Sequence, residues 1–414
     1  MITGKRGLAV RTAIMTATVL LGLAPVVAAH EPADDDPAPT PVFHHIGTVT
    51  EPAIFALAAG ITPTNPTGKF ASFDISWVDN ERNVYYLADR SNNAIDVIDT
   101  TDGSFTKFLA KGQFAGIITG PPNRNGPDGV VTDKAGNVWV GDGLIGGVGS
   151  SSLKGFDPDT GLALPGTPIN LGGKGRADEL AYAHVGGGRI LIANPSEPDV
   201  AFASLVNTST KTVIGKVRYD EGPHAGLPAP GHGFNTVFGT PPTQHGLEQP
   251  VFFNGKFYLN VPATIQNPGG ELDVFDTNEA RITAVLPLTN CEGTGLTVAR
   301  DELVVECGDS ARIVDADGNV EATFPDLGGT DEIWFNPGDG NVYIPSPGKG
   351  LAVLDFTHSR SLGVTLVPGT QGVHSVAAAA HGNRIFMPIS DNPDNGAGGI
   401  AMFHQARQKH VSED

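Results

Sequence analysis

The 414-residue chain is poor in charge, in aromatic rings and in cysteine, at 17% charged residues, 7% aromatics and two cysteines. No sustained helical periodicity follows the first thirty residues, which argues against a helical bundle. Basic residues are scarce relative to acidic ones, 26 against 45, for a formal charge of −19. A field of that sign repels nucleic acid and anionic lipid, so neither is an expected partner. Beyond the first thirty residues no apolar run is long enough for a membrane span. There is no Gly-x-Ser-x-Gly elbow, phosphate loop or HExxH, so a serine nucleophile is unsupported.

Glycine and proline are plentiful, at 54 and 32 residues, which with so little charge favours many tight turns and an all-β protein. Lys5, Arg6 and Arg11 precede the apolar run AIMTATVLLGLAPVVAA, which ends Val27-Ala28-Ala29. This reads as a signal peptide over 1–29, giving a secreted or periplasmic protein. The acidic tract EPADDDPAPTP belongs to a disordered leader over 30–43. Residues 44–405 form one repeat domain and 406–414 a disordered tail.

In FDISWVDNERNVYYLADRSNNAIDVIDT, Asp74 stands in front of an apolar strand that contains Ile75 and Trp77. A carboxylate there is costly unless something pairs with it. The pattern recurs. FDISWV and NVYYLAD are followed by PDGVVTD and NVWVGDG, then by DELAYAH and RILIANP. LEQPVFF with KFYLNVP, TGLTVAR with ELVVECG, DEIWFNP with NVYIPSP, and VHSVAAA with RIFMPIS complete the series. Seven copies of about four strands each indicate a seven-bladed β-propeller, with six or eight blades as alternative registers. The last copy lacks its outer strand, and HHIGTVTEP (44–52) supplies it, closing the ring from both ends of the chain. Tyr85, Tyr86 and Trp77 are read as packing residues.

Aligning first strands places Asp74, Asp128, Glu179, Glu248, Thr294, Glu332 and His374 at one position. In a propeller these residues form a circle at one mouth of the central channel. Asp89, Arg90, Asn92, Asp142, Asn194, Asp309, Ser346, Asp391 and Asn392, from second-strand ends, surround it as a ligand-binding rim. So many carboxylates require either proton uptake or a neutralising cation. Oxygen ligands suit Ca²⁺, the expected ion, or Mg²⁺; His374 beside Glu332 also suits Zn²⁺ or Mn²⁺.

VYYLADRSNNAIDVIDT and GPDGVV resemble exported bacterial propellers of the YVTN/NHL type and the SMP-30/gluconolactonase-like type, a likeness of repeat style over about 45–405. The second resemblance implies a divalent metal at this mouth, held by a Glu, two Asn and an Asp. Asp128 in Pro127-Asp128-Gly129 resembles the family's Asp motif, and Glu179 or Glu248 matches its Glu. Thr294 stands where the family has Asn, a departure from the family's metal-ligand set.

The stretch EGPHAGLPAPGHGFNTVFGTPPTQHG (221–246) is an insertion between the third and fourth copies, expected to return across the mouth as a lid. It carries His224, His232 and His245; His245 is the best placed as a metal ligand, and with His374 it would suit copper. Gly141-Asp142-Gly143-Leu144-Ile145-Gly146 fits the dinucleotide string but lacks a following helix and reads as a flexible loop. Cys291 and Cys307 flank a strand–turn–strand segment and sit at the open end of one hairpin, so a structural disulfide is preferred to a metal pair or reactive thiol.

Three functions follow. The first is a metal-dependent, lactonase-like hydrolase or lyase, with Asp128, Glu179, Glu248 and His245 on the metal and Glu332 or His374 as acid/base. The second is a non-catalytic propeller, expected to be a monomer, that binds a small molecule or an envelope partner. The third is a copper or iron oxidoreductase using His245 and His374.

Overall fold

The computed structural model describes residues 43–49 and 70–405, apart from 199, 220–245, 265–266, 368–369, 371 and 392–397. The segment read as a signal peptide, His224, His232, His245 and Asn392 therefore lie outside the described residues. Those described contain strands and turns and no α-helix; no helix is long and apolar enough to cross a membrane.

Twenty-eight strands form seven four-stranded antiparallel sheets. The first strands are β2 (Ser76–Asp79), β6 (Val130–Thr132), β10 (Leu180–Ala183), β14 (Pro250–Phe253), β18 (Leu296–Ala299), β22 (Trp334–Asn336) and β26 (Ala377–Ala379). Each lies beside the next, and β26 returns to β2, so the sheets stand in a ring as blades. In six blades the four strands are consecutive in sequence; the seventh has the order β1 (Phe43–Val49), β28 (Gly399–Gln405), β27 (Arg384–Ile389), β26. There β1 pairs antiparallel with β28, from Phe43 opposite Gln405 to Val49 opposite Ile400. The closure by an N-terminal strand expected from sequence is present.

Every second strand is apolar on both faces because each blade is covered on both sides. Ile190, Leu191, Ile192 and Ala193 are all buried, and so are Val342, Tyr343 and Ile344. Seven hydrophobic clusters result, one between each pair of neighbouring blades. Fourth strands face solvent and alternate, as in Thr212–Arg218.

The first strands enclose a cavity of about 270 Å³. Ile75, Val130, Leu180, Leu296 and Ile333 line it, with Glu179, Gln249, Glu332, Tyr182 and Thr297 among its polar residues. Trp77 is not simply a core residue. It lines the cavity, meets Trp334 edge-on at 5.2 Å between ring centroids, and donates its indole N–H to Thr132 Oγ1 at 3.0 Å.

The dinucleotide-like string forms no loose loop. Strand β7 (Val138–Ile145) runs through it and returns as β8 (Val148–Phe156). Gly146 and Gly147, at φ 56° and 82°, make the turn, a conformation that side chains with a Cβ disfavour. Cys291 and Cys307 are disulfide-bonded across the open end of the β18–β19 hairpin, β19 being Glu302–Glu306.

Candidate functional site

Backbone hydrogen bonds define the ring position. The N–H of Asp74 donates to Ala88 O at 2.9 Å, Asp128 to Gly141 O at 3.0 Å, Asp178 to Ala193 O at 2.9 Å and Glu248 to Asn260 O at 3.0 Å. The equivalent residue in the third blade is thus Asp178, not Glu179. In the sixth blade, counting back from the Trp334–Tyr343 pair gives Asp331, not Glu332. Sequence alignment slipped by one residue in these two blades. Because side chains alternate along a strand, that slip exchanges ring for channel. Glu179 and Glu332 line the cavity, in line with Gln249.

Asp74, Asp128 and Asp178 converge, each offering an oxygen within 4.8 Å of the others. Such a triad could hold a metal ion. Two arginines already occupy it. Arg90 Nη2 lies 2.5 Å from both Asp74 Oδ2 and Asp128 Oδ1, and its Nε donates to Asp128 Oδ1 at 2.9 Å. Arg176 reaches in from the loop before β10, with Nη1 at 3.3 Å from Asp74 Oδ2 and 3.1 Å from Asp128 Oδ1, and Nη2 at 2.5 Å from Asp178 Oδ2. The two guanidinium groups supply much of the neutralising charge that the sequence demanded, and a metal ion would have to displace them.

Arg176 and Asp178 were not singled out from sequence. The Gly-rich run before them gave no hint of its path, because long-range contacts shape it. Glu197 Oε2 accepts the Lys174 N–H at 2.6 Å and its Oε1 the Gly175 N–H at 3.0 Å. Asn194 Nδ2 donates to Arg176 O at 3.3 Å. Gly129 and Gly141 admit the arriving backbone, since a Cβ on either would lie 2.5 and 2.6 Å from Asp178 O.

Burial raises the carboxyls unevenly. For Asp74, burial is outweighed by Arg90 and Arg176, which hold its carboxyl well below the ordinary range. Burial pushes Asp128 well above its ordinary value and Asp178 to about 7, against the pull of the same arginines.

His374 stacks on Phe73 with ring centroids 4.5 Å apart, and Phe73 stacks on Phe70. Its Nδ1 donates to Gly372 O at 2.8 Å and its Nε2 faces Asp74 Oδ1 at 3.6 Å. Burial opposes its protonation, but Asp74 and Asp331 outweigh it and raise the imidazole's pKa. Both ring nitrogens are committed to protein groups.

Glu332 is also engaged. Its Oε2 accepts Ser375 Oγ at 2.5 Å, and the Ser76 N–H and Oγ at 3.2 Å each. Burial lifts its carboxyl to about 8 in spite of these donors. It ties the first, sixth and seventh blades together.

Glu179 and Glu248 differ. They are 3% and 5% exposed, yet Glu179 Oε2 and Glu248 Oε1 have no hydrogen-bond partner. Burial first, then neighbouring acids, raises both carboxyls well above the usual value; for Glu179 the largest of those acids is Glu248.

The remaining rim residues are mostly internal braces. Asp89 accepts the Asn92 N–H at 3.0 Å and its side-chain amide at 2.5 Å. Asp142 accepts the Ala115 N–H at 3.0 Å and pairs with Lys154 at 2.5 Å. Thr294 Oγ1 donates to Glu306 Oε2 at 3.1 Å or Thr330 O at 2.5 Å, away from a metal-ligand role. Ser346 is buried, Asp391 accepts the Gly398 N–H, and Asp309 is exposed beside the disulfide.

No family model matches the chain, and no curated protein matches it. Among solved structures it is similar to the Pan2 WD40 domain of Neurospora crassa, with a TM-score of 0.53 and 10% identity over 82% of this chain and 90% of that one. At that identity the likeness concerns the fold alone: the chain folds as a seven-bladed β-propeller with a buried acidic triad at one channel mouth.

Proposed function

We propose that this protein is an exported, non-catalytic propeller that binds a small molecule at the acidic mouth of its channel. One observation carries the reading: a nearly buried carboxyl, Glu179, leaves an oxygen without a partner at the polar end of a cavity of about 270 Å³. A concave apolar site with a few convergent polar groups is what small-molecule sites look like. Unpaired buried polar atoms are costly to the protein alone, and a ligand that pairs with them recovers that cost. The expected acid/base groups, His374 and Glu332, are instead engaged in holding blades together. Export is supported by the signal-like first segment and the disulfide.

The hydrolase reading keeps one support, the closeness of three aspartate oxygens. It requires Ca²⁺ or another divalent ion in place of the arginines. The two readings part in one experiment: a thermal-shift screen of small molecules run beside a turnover panel of lactones and esters, with and without a chelator. Binding without turnover, insensitive to chelation, supports the binding reading. Chelator-sensitive turnover lost in Asp128→Asn would replace it with the hydrolase.

A further inference from the structure

The ligand's chemistry is written in what the mouth offers and in what it has already used. Gln249 Oε1 accepts the Leu296 and Ile333 N–H groups at 2.7 and 3.3 Å. Thr294 is turned into Glu306, the triad oxygens carry Arg90 and Arg176, and Glu332 Oε2 carries two serines. Among the described residues the acceptors left unpaired there are Glu179 Oε2, Glu248 Oε1 and Asp128 Oδ2, all on side chains nine-tenths or more buried, and the Trp334 indole N–H is left as a donor. Glu179 lines an apolar shaft with two indole rings, and Glu248 is its neighbouring acid.

A hard dication would have to complete six to eight oxygens as Ca²⁺, or an octahedron as Mg²⁺, largely with water beside these few acceptors. The set suits an ammonium group, which brings three N–H donors and needs no cage. The walls then suit an apolar or aromatic body, and Trp77 and Trp334 offer faces or edges to it. An anionic ligand would meet the acids, while the two guanidinium groups described at this mouth are engaged with Asp74, Asp128 and Asp178.

Resting on the small-molecule reading above, we infer that the ligand is an organic cation: a primary amine on a small apolar body, its ammonium held by Glu179 and Glu248 and its body seated among the first strands. The probes are 2-phenylethylamine, its neutral isostere 2-phenylethanol, and CaCl₂, titrated calorimetrically into the full folded protein. The amine is expected to bind at least tenfold more tightly than the alcohol. Glu179→Gln is expected to weaken amine binding by tenfold or more while leaving the alcohol unchanged. Should that variant fail to fold, Glu248→Gln makes the same test from the neighbouring blade. Equal binding of amine and alcohol, with no effect of either substitution, overturns the cation inference and leaves the small-molecule reading standing. Ca²⁺ binding that depends on Glu179, with no amine binding, overturns the inference in favour of a metal. If neither these probes nor any compound of the thermal-shift screen binds, both the inference and the reading beneath it fall.

Discussion

Arg176 decides how the acidic mouth is tolerated. Its side chain is almost wholly buried and touches three aspartates from three blades. Removing one partner from a buried ion pair leaves uncompensated charge, at a cost of about 3–5 kcal/mol. Arg176→Met is therefore expected to lose about that much stability in urea unfolding, and Arg176→Lys to recover only part of it, because Lys cannot fork between carboxylates. A loss below about 1 kcal/mol would show that the triad discharges by taking up protons instead. Glu332 gives a pH signature of the opposite kind. Its carboxyl is raised to about 8 in the folded protein, against about 4.3 in an unfolded chain. Between those values the native state holds a proton that the unfolded state has released, so this group makes stability fall as pH rises from about 4 toward 8. Glu332→Gln is expected to flatten that part of the stability profile, measured as urea midpoints at successive pH values. An unchanged slope would assign the effect to other carboxyls.

At the scale of the element, hairpins carry the site and their ends are braced by buried carboxyls. Glu306, at the end of β19, accepts N–H groups from Thr294 in its own blade and Gly329 in the next. Gly293 must lack a side chain there, since a Cβ would lie 1.5 Å from Glu306 O. The Cys291–Cys307 disulfide clamps the same hairpin. Closing a loop of that size removes unfolded-state entropy worth about 3 kcal/mol. The double substitution Cys291→Ala with Cys307→Ala is expected to lower the thermal midpoint by several degrees while preserving the sheet signal in circular dichroism. No shift would mean that hairpin hydrogen bonds alone hold the corner.

For the whole molecule, closure is the structural event on which the channel depends. Strand β1 covers the outer edge of β28, and the seventh blade reaches four strands only through it. An uncovered edge strand is a template for pairing with other chains. Deleting residues 43–49 from the otherwise intact chain is expected to lower the unfolding midpoint and produce aggregates in size-exclusion chromatography. A monomeric product with an unchanged midpoint would show that the three-stranded seventh blade closes the ring unaided.

Repeated runs such as NVYYLAD, NVWVGDG and NVYIPSP determined by themselves that this chain makes short buried strands at regular intervals. From that periodicity the propeller, its seven blades, the closing strand and the cysteine hairpin were all legible, because each is a local pattern repeated or a short-range pairing. The site was legible only in outline. Asp74, Asp128, Glu248 and His374 were placed in register, whereas Glu179 and Glu332 stood one residue away from the ring, in the channel. Adjacent acids such as Asp178-Glu179 and Asp331-Glu332 leave the register ambiguous in one dimension, and only strand pairing resolves which one points where. Arg176 had no sequence signal at all. Its partners lie 102, 48 and two residues away, and charges so distant in the chain meet only when the blades close. The repeat is local and the pairing of charge across blades is not, so the tertiary structure alone decided which carboxylate oxygens the arginines neutralise and which are left unpaired.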